Sequence, residues 1–191
     1  MPRYLDLEVI INGTEPPVWR RFLIRPTATF HDLNDAIQDA FGWQNCHLWE
    51  FRTPGRRGDS IAGIPMKGEP GWGNEVPDAT KVRLSSYFRG GKGGKRKCVF
   101  IYDFGDDWVH SVALKKQVDE EVSFERRLIG GDWAGPLEDC GGVWGYQRMA
   151  ELVRTGEDPA DWGDTDEILE WIGDWDPDDF ALDKAKKSFD R

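Results

Sequence analysis

Apolar and polar residues alternate from Tyr4 to Ile11, with Leu5, Leu7, Val9 and Ile11 on one side of an extended chain. A period of two predicts a half-buried strand. Asn12-Gly13 and Pro16-Pro17 mark a turn, and Val18 to Arg25 alternates again, which predicts an antiparallel hairpin with Arg20, Arg21 and Arg25 pointing outward, partly on each face. The period then changes. Thr29 is a good N-cap, Asp32 follows three residues later, and Phe30, Leu33, Ile37, Ala40 and Phe41 recur at helical spacing up to Gly42, a natural stop. This strand-strand-helix opening is β-grasp-like, and His47 to Arg52 reads as the next strand.

Ten of the residues between Thr53 and Thr80 are Gly or Pro, so that stretch reads as a surface excursion. Lys81 to Leu84 reads as a short strand, and Arg89 to Lys97 as a basic, glycine-rich loop. Cys98–Tyr102 and Trp108–Lys116 form a second hairpin, whose alternation puts Trp108, His110, Val112 and Leu114 on one face. A further strand is expected at Ser123–Ile129. Beyond Gly130 the period becomes helical, with helices expected at Val143–Arg154 and Asp166–Ile172, and a third starting at Asp176-Pro177. The pattern as a whole predicts an α+β fold: an antiparallel sheet of two hairpins plus further strands, and a helical C-terminal third. Residues 1–191 are expected to form a single domain, mainly sheet over 1–130 and mainly helical over 131–191.

Charge narrows the choice of partners. The 191-residue chain carries a formal net charge of −10, and residues 131–191 hold 6 Lys+Arg against 17 Asp+Glu, so the excess lies in the last third. Such a balance argues against nucleic acid and anionic membrane, both of which bind cationic surface. A protein or small-molecule partner is the expectation that remains. Ten tryptophans, with Trp162, Trp171 and Trp175 among the C-terminal acids, suit either core packing or recognition. Cys46, Cys98 and Cys140 show no CxxC spacing, which fits a reducing cytoplasm, and no long apolar segment suggests a membrane span.

Two stretches concentrate the chemistry: YDFGDDWVH (Tyr102–His110) and PLEDCGGVWGY (Pro136–Tyr146). Together they define a candidate binding cleft of Tyr102, Asp103, Asp106, Asp107, Trp108, His110, Glu138, Asp139, Cys140, Trp144 and Tyr146. Its five carboxylates, Asp103, Asp106, Asp107, Glu138 and Asp139, could ligate Mg²⁺ or Ca²⁺, which take several oxygens. The bland alternative is that the aspartates cap a tight turn beside glycine, and no cofactor is then expected. His110 and Cys140, with Cys46-His47, could form a zinc site or a Cys/His pair, but neither spacing is diagnostic. A core position for His110, bonded to Asp103 or Asp107, is the plainer expectation, as is a buried thiol for Cys140. The basic loop lacks the GK[ST] ending of a P-loop.

PPVWRRFLI (Pro16–Ile24), AFGW (Ala40–Trp43), YDFGDDWVH, PLEDCGGVWGY and WDPDDF (Trp175–Phe180) occur in that order over almost the whole chain. In this combination the sequence resembles the plasmid pRiA4b ORF-3-like family. The resemblance implies an α+β domain and no particular activity. A transposon-resolvase label attached to some relatives finds no arginine-clustered serine here. Three functions follow as expectations. The first is a non-enzymatic binding module using the cleft. The second is a divalent-metal hydrolase or nuclease with His110 as general base. The third is a DNA-associated protein of mobile elements, using Arg20, Arg21, Arg25 and the basic loop.

Overall fold

The computed structural model of the chain describes residues 1–56, 58–65, 76–89, 94–160 and 165–191. The N-terminal hairpin forms as its alternation predicts. β1 (Arg3–Ile11) pairs antiparallel with β2 (Trp19–Ile24), from Leu5 opposite Ile24 to Ile10 opposite Trp19. Thr14 closes the turn: its hydroxyl donates to the Ile11 carbonyl and accepts from the Val18 N–H. α1 (Phe30–Phe41) starts in a complete capping box between Thr29 and Asp32 and stops at Gly42, whose φ of 83° suits glycine.

The arginines of β2 depart from expectation. Arg20 is 2% exposed and points into the core, where its guanidinium donates to the carbonyls of Trp19, Ala40, Asp132 and Trp133. It lies over the rings of Phe41 and Phe180. Burial pulls its pKa down to about 9. Arg21 is held in a bidentate pair by Asp6, both contacts at 2.8 Å. Four backbone carbonyls ready to accept from the guanidinium, and a facing carboxylate, decided these orientations. Arg20 is thus enclosed in the core, and Arg21 is committed to Asp6.

β3 (Trp49–Arg52) and β4 (Ser60–Gly63) follow, the latter an edge strand within the Gly/Pro-rich excursion that buries Ile61 and Ala62. The strand expected at Lys81–Leu84 shrinks to one bridge at Arg83, and α2 (Leu84–Tyr87) begins there. Its backbone is already committed, since the N–H groups of Leu84 and Ser85 bond the carbonyls of Ala28 and Pro26. β5 (Lys97–Tyr102), β6 (Trp108–Asp119) and β7 (Arg126–Asp132) complete one antiparallel sheet in the order β4-β3-β5-β6-β1-β2-β7. β7 starts three residues later than predicted because Phe124 stacks on Tyr4 and exchanges backbone bonds with its hydroxyl, outside the ladder.

α3 (Gly142–Thr155), α4 (Thr165–Ile172) and α5 (Leu182–Phe189) make the C-terminal third helical. The helix expected from Asp176 begins only at Leu182. Asp176 instead closes a turn, its carboxylate taking the Asp178 N–H at 2.9 Å and its carbonyl the Asp179 N–H. Phe180 is then free to lie on Arg20. The core lies on one face of the sheet, where Leu5, Leu7, Val9, Phe22, Phe100, Trp108 and Val112 meet α1 and Phe189 of α5. Among the described residues no helix is long and apolar enough to cross a membrane.

Candidate functional site

The two acid-rich stretches meet at the β5–β6 connection. Asp103 and Asp107 both adopt a φ of 53°, a left-handed conformation that aspartate tolerates in turns. Asp103 Oδ1 takes the Gly105 N–H at 2.9 Å, and the Asp107 N–H closes the turn on the Asp103 carbonyl at 2.7 Å. Asp106 reaches across to the second stretch, its Oδ2 accepting the Gly141 N–H at 3.0 Å. Gly142 sits against the same residue: a Cβ there would stand 2.5 Å from the Asp106 carbonyl oxygen, at a φ of 68°. Turn and junction chemistry thus accounts for Asp106 and Asp107.

A third segment completes the arrangement. Trp43 Nε1 donates to the Pro136 carbonyl at 2.8 Å, and the Gln44 N–H donates to Glu138 Oε1 at 2.7 Å. On the other flank the Asp103 N–H bonds the Leu48 carbonyl at 3.0 Å. Residues 44–48 are so pinned between both acid-rich stretches, and His47 falls at their meeting point. Its Nε2 lies 3.0 Å from Asp139 Oδ1, 3.7 Å from Asp103 Oδ2 and 3.9 Å from Glu138 Oε2. The atom is shielded from solvent yet makes no hydrogen bond: Asp103 and Glu138 lie beyond hydrogen-bond reach, and Asp139, though close enough, lies out of its bonding direction.

Tyr102 holds the floor of this cluster. Its hydroxyl donates to Glu138 at 2.9 Å and accepts the Cys46 N–H at 3.1 Å. Burial, then the hydrogen-bonded neighbours, raise its pKa far above the ordinary phenol value, so it remains a donor. Glu138 Oε1 accepts from the Gln44 N–H and the Tyr102 hydroxyl, which also reaches Oε2 at 3.2 Å, and Asp103 commits Oδ1 to Gly105. Each turns its second oxygen toward His47. Donor atoms of His47, Asp103 and Asp139 converge within 4.8 Å, as do those of Cys46, His47 and Glu138, a mixed nitrogen, oxygen and sulfur set.

Other predicted residues lie elsewhere. Trp108 is 1% exposed and His110 fully buried, so neither side chain can meet a ligand arriving from solvent. His110 is not bonded to Asp103 or Asp107. Its Nδ1 faces the carbonyls of Trp108 at 3.0 Å and Phe100 at 3.3 Å, which places the ring proton there, and aromatic rings surround it. Desolvation lowers its pKa to about 4. Such a group cannot serve as general base for chemistry at the surface. Cys140 is buried with its pKa pushed up to about 12, by desolvation first and the Asp106 charge second, so it is no thiolate nucleophile. Tyr146 is buried against Trp175, while Trp144 is half exposed.

From the basic loop, Arg96 bonds the carbonyls of Leu114 and Lys115, which makes it a tie within the sheet; residues 90–93 lie outside the described residues, as does Trp162. A separate cavity of about 280 Å³, lined by Arg25, Asp32, Asp35, Glu125 and Arg126, contains none of the candidate residues. Its lining charges are of both signs, whereas the donors at His47 converge. That histidine was not in the cleft read from the two motifs. The available signal was the adjacent pair Cys46-His47, two metal-ligand types side by side, far from both motifs in sequence.

The family model of the plasmid pRiA4b ORF-3-like protein matches residues 3–184. A curated relative, "Uncharacterized protein y4hQ" of Sinorhizobium fredii, is 34% identical over 175 residues, covering 92% of this chain and 84% of the relative. Among solved structures, a protein of unknown function, MM3350 from Methanosarcina mazei Go1, superposes with a TM-score of 0.76 at 31% identity, over 95% of each chain.

Proposed function

The chain belongs to the plasmid pRiA4b ORF-3-like family, and from its own geometry we propose that it is a non-enzymatic binding module whose recognition site takes a cation at His47. One observation carries the reading: Asp103, Glu138 and Asp139, drawn from two segments, turn carboxylate oxygens toward a single imidazole of a third segment. Carboxylates gathered around one side chain favour a positive counterpart. Asp103 and Glu138 are 14% and 11% exposed, which shields them from screening, whereas Asp139 is 68% exposed and marks the way in.

A hydrolase on the same acids lacks its base, because His110 is sealed in the core, and it lacks Asp106 and Asp107 as ligands. The ligand class is a cation, with nucleic acid disfavoured by the net charge of −10. Three free cysteines support a cytoplasmic setting for the module, read as one domain. The test is a melting curve of the full chain against Mg²⁺, Ca²⁺, Mn²⁺ and Zn²⁺ in turn. A bound cation at about a hundred times its Kd adds about 2.7 kcal/mol, raising the Tm by about 5–10 °C for a chain of this size. That rise should vanish in Glu138→Gln. If no cation moves the wild-type Tm, the reading is wrong.

A further inference from the structure

Resting on that reading, we infer that the cation is a first-row transition-metal ion of the zinc class, held by His47 with Asp103 and Asp139, whose donor atoms lie within 4.8 Å of one another, while Glu138 and Cys46 form a second such group with the same histidine. The donor set discriminates between metals. Mg²⁺ and Ca²⁺ take oxygen ligands, and nothing in their chemistry calls for an imidazole among the carboxylates. Zn²⁺ and its neighbours accept imidazole and carboxylate together, with nitrogen contributing much of the affinity. Here the imidazole nitrogen is the atom toward which the three carboxylates point, and Cys46 Sγ lies on the same flank as His47 and Glu138.

The orphaned nitrogen is the second observation. A protonated His47 serving only as an ion-pair partner would be expected to aim its N–H at Asp139, 3.0 Å away. Instead Nε2 is shielded from solvent and not aligned with that oxygen, and the oxygens of Asp103 and Glu138 stand beyond hydrogen-bond reach at 3.7 and 3.9 Å. Atoms arranged around a shared point, rather than along donor-acceptor lines, are what coordination of a central ion requires.

The outer contacts have the form that metal ligands have. Asp103 is fixed by the Gly105 N–H on Oδ1, leaving Oδ2 for the ion, while Glu138 is fixed by the Gln44 N–H and by the Tyr102 hydroxyl, which reaches both of its oxygens. The exposed side of the cluster, at Asp139, leaves room for water or a ligand group in a remaining coordination position. Sites of this form release protons on loading when their ligands start protonated, so affinity falls in acid.

The experiment uses the full chain stripped with a chelator, then titrated with Zn²⁺ in competition with a chromophoric chelator, and separately with Mg²⁺ and Ca²⁺. One equivalent of Zn²⁺ should bind, at least about tenfold more tightly than either alkaline-earth ion. His47→Ala should lose that equivalent while keeping its fold by circular dichroism. Tyr102→Phe, which frees Glu138, should weaken Zn²⁺ by about 10- to 100-fold. Zn²⁺ bound equally well by His47→Ala would overturn the assignment. Mg²⁺ or Ca²⁺ binding more tightly than Zn²⁺ would overturn the metal class and leave the cation module standing. No binding of any cation would remove both.

Discussion

His47 and His110 stand on two sides of one aromatic wall. Tyr102 and Trp43 stack at 5.1 Å; His47 packs edge-on against Tyr102 at 5.7 Å, and His110 packs edge-on against Trp43 at 5.3 Å. Beyond the wall, His110 has only rings and carbonyls around it and is held neutral. On the near side, His47 has three carboxylates. The same side chain is a core residue in one place and a candidate ligand in the other, and the difference is made by which segments converge on it. His110 belongs to the denser motif, yet the rings and carbonyls around its imidazole come from its own hairpin and the α1 exit. His47 is reached from residues about 55 and 90 positions away.

The largest effect should come from the core side. Trp108→Ala, with the indole 1% exposed, should cost about 3–5 kcal/mol in urea or guanidinium unfolding. A loss under 1 kcal/mol would mean that Trp108 is a surface residue and that the contrast is misplaced. Next is the pH dependence of His110. Its folded pKa near 4 lies below the ordinary 6.5, so the unfolded chain takes up the proton first. Stability is complete above about pH 6.5 and falls as the pH drops toward 4, by about 3 kcal/mol in all. His110→Leu should flatten that part of the stability curve; an unchanged slope would show that some other group causes it.

On the near side the effects are smaller. Tyr102→Phe removes a hydroxyl bonded to a carboxylate and to the Cys46 N–H, and should cost about 2 kcal/mol without metal. Asp139→Asn, at an exposed side chain, should change stability of the metal-free chain by less than about 0.5 kcal/mol while weakening Zn²⁺. A large loss in the metal-free state would identify Asp139 as a structural residue and count against its place as a ligand.

The pattern of residues made much of this fold legible. Period-two alternation placed β1, β2, β5 and β6, and it put His110 in register with Trp108 and Val112. Thr29, Asp32 and Gly42 marked both ends of α1, because caps are local chemistry. Where a local rule competed with a distant partner, the partner won. Asp176-Pro177 is a fine helix start, but Arg154 pairs with Asp178 and Phe180 lies on Arg20, and together they hold that segment as a turn. Arg20 looked outward by alternation of charge, yet four carbonyls from three segments drew it inside. The acids of YDFGDDWVH were legible as turn formers. Their convergence with Glu138 and Asp139 on His47 was not, since it depends on Trp43 and Gln44 reaching residues 136 and 138 across the fold.

The contrast between the histidines can be read in one spectrum. The chain has three, His31, His47 and His110, and long-range ¹H–¹⁵N correlation resolves each imidazole ring. On adding one equivalent of Zn²⁺ at neutral pH, the Nε2 signal of His47 should move strongly while those of His110 and His31 stay in place. An unmoved His47, or a His110 that shifts with it, would contradict the account.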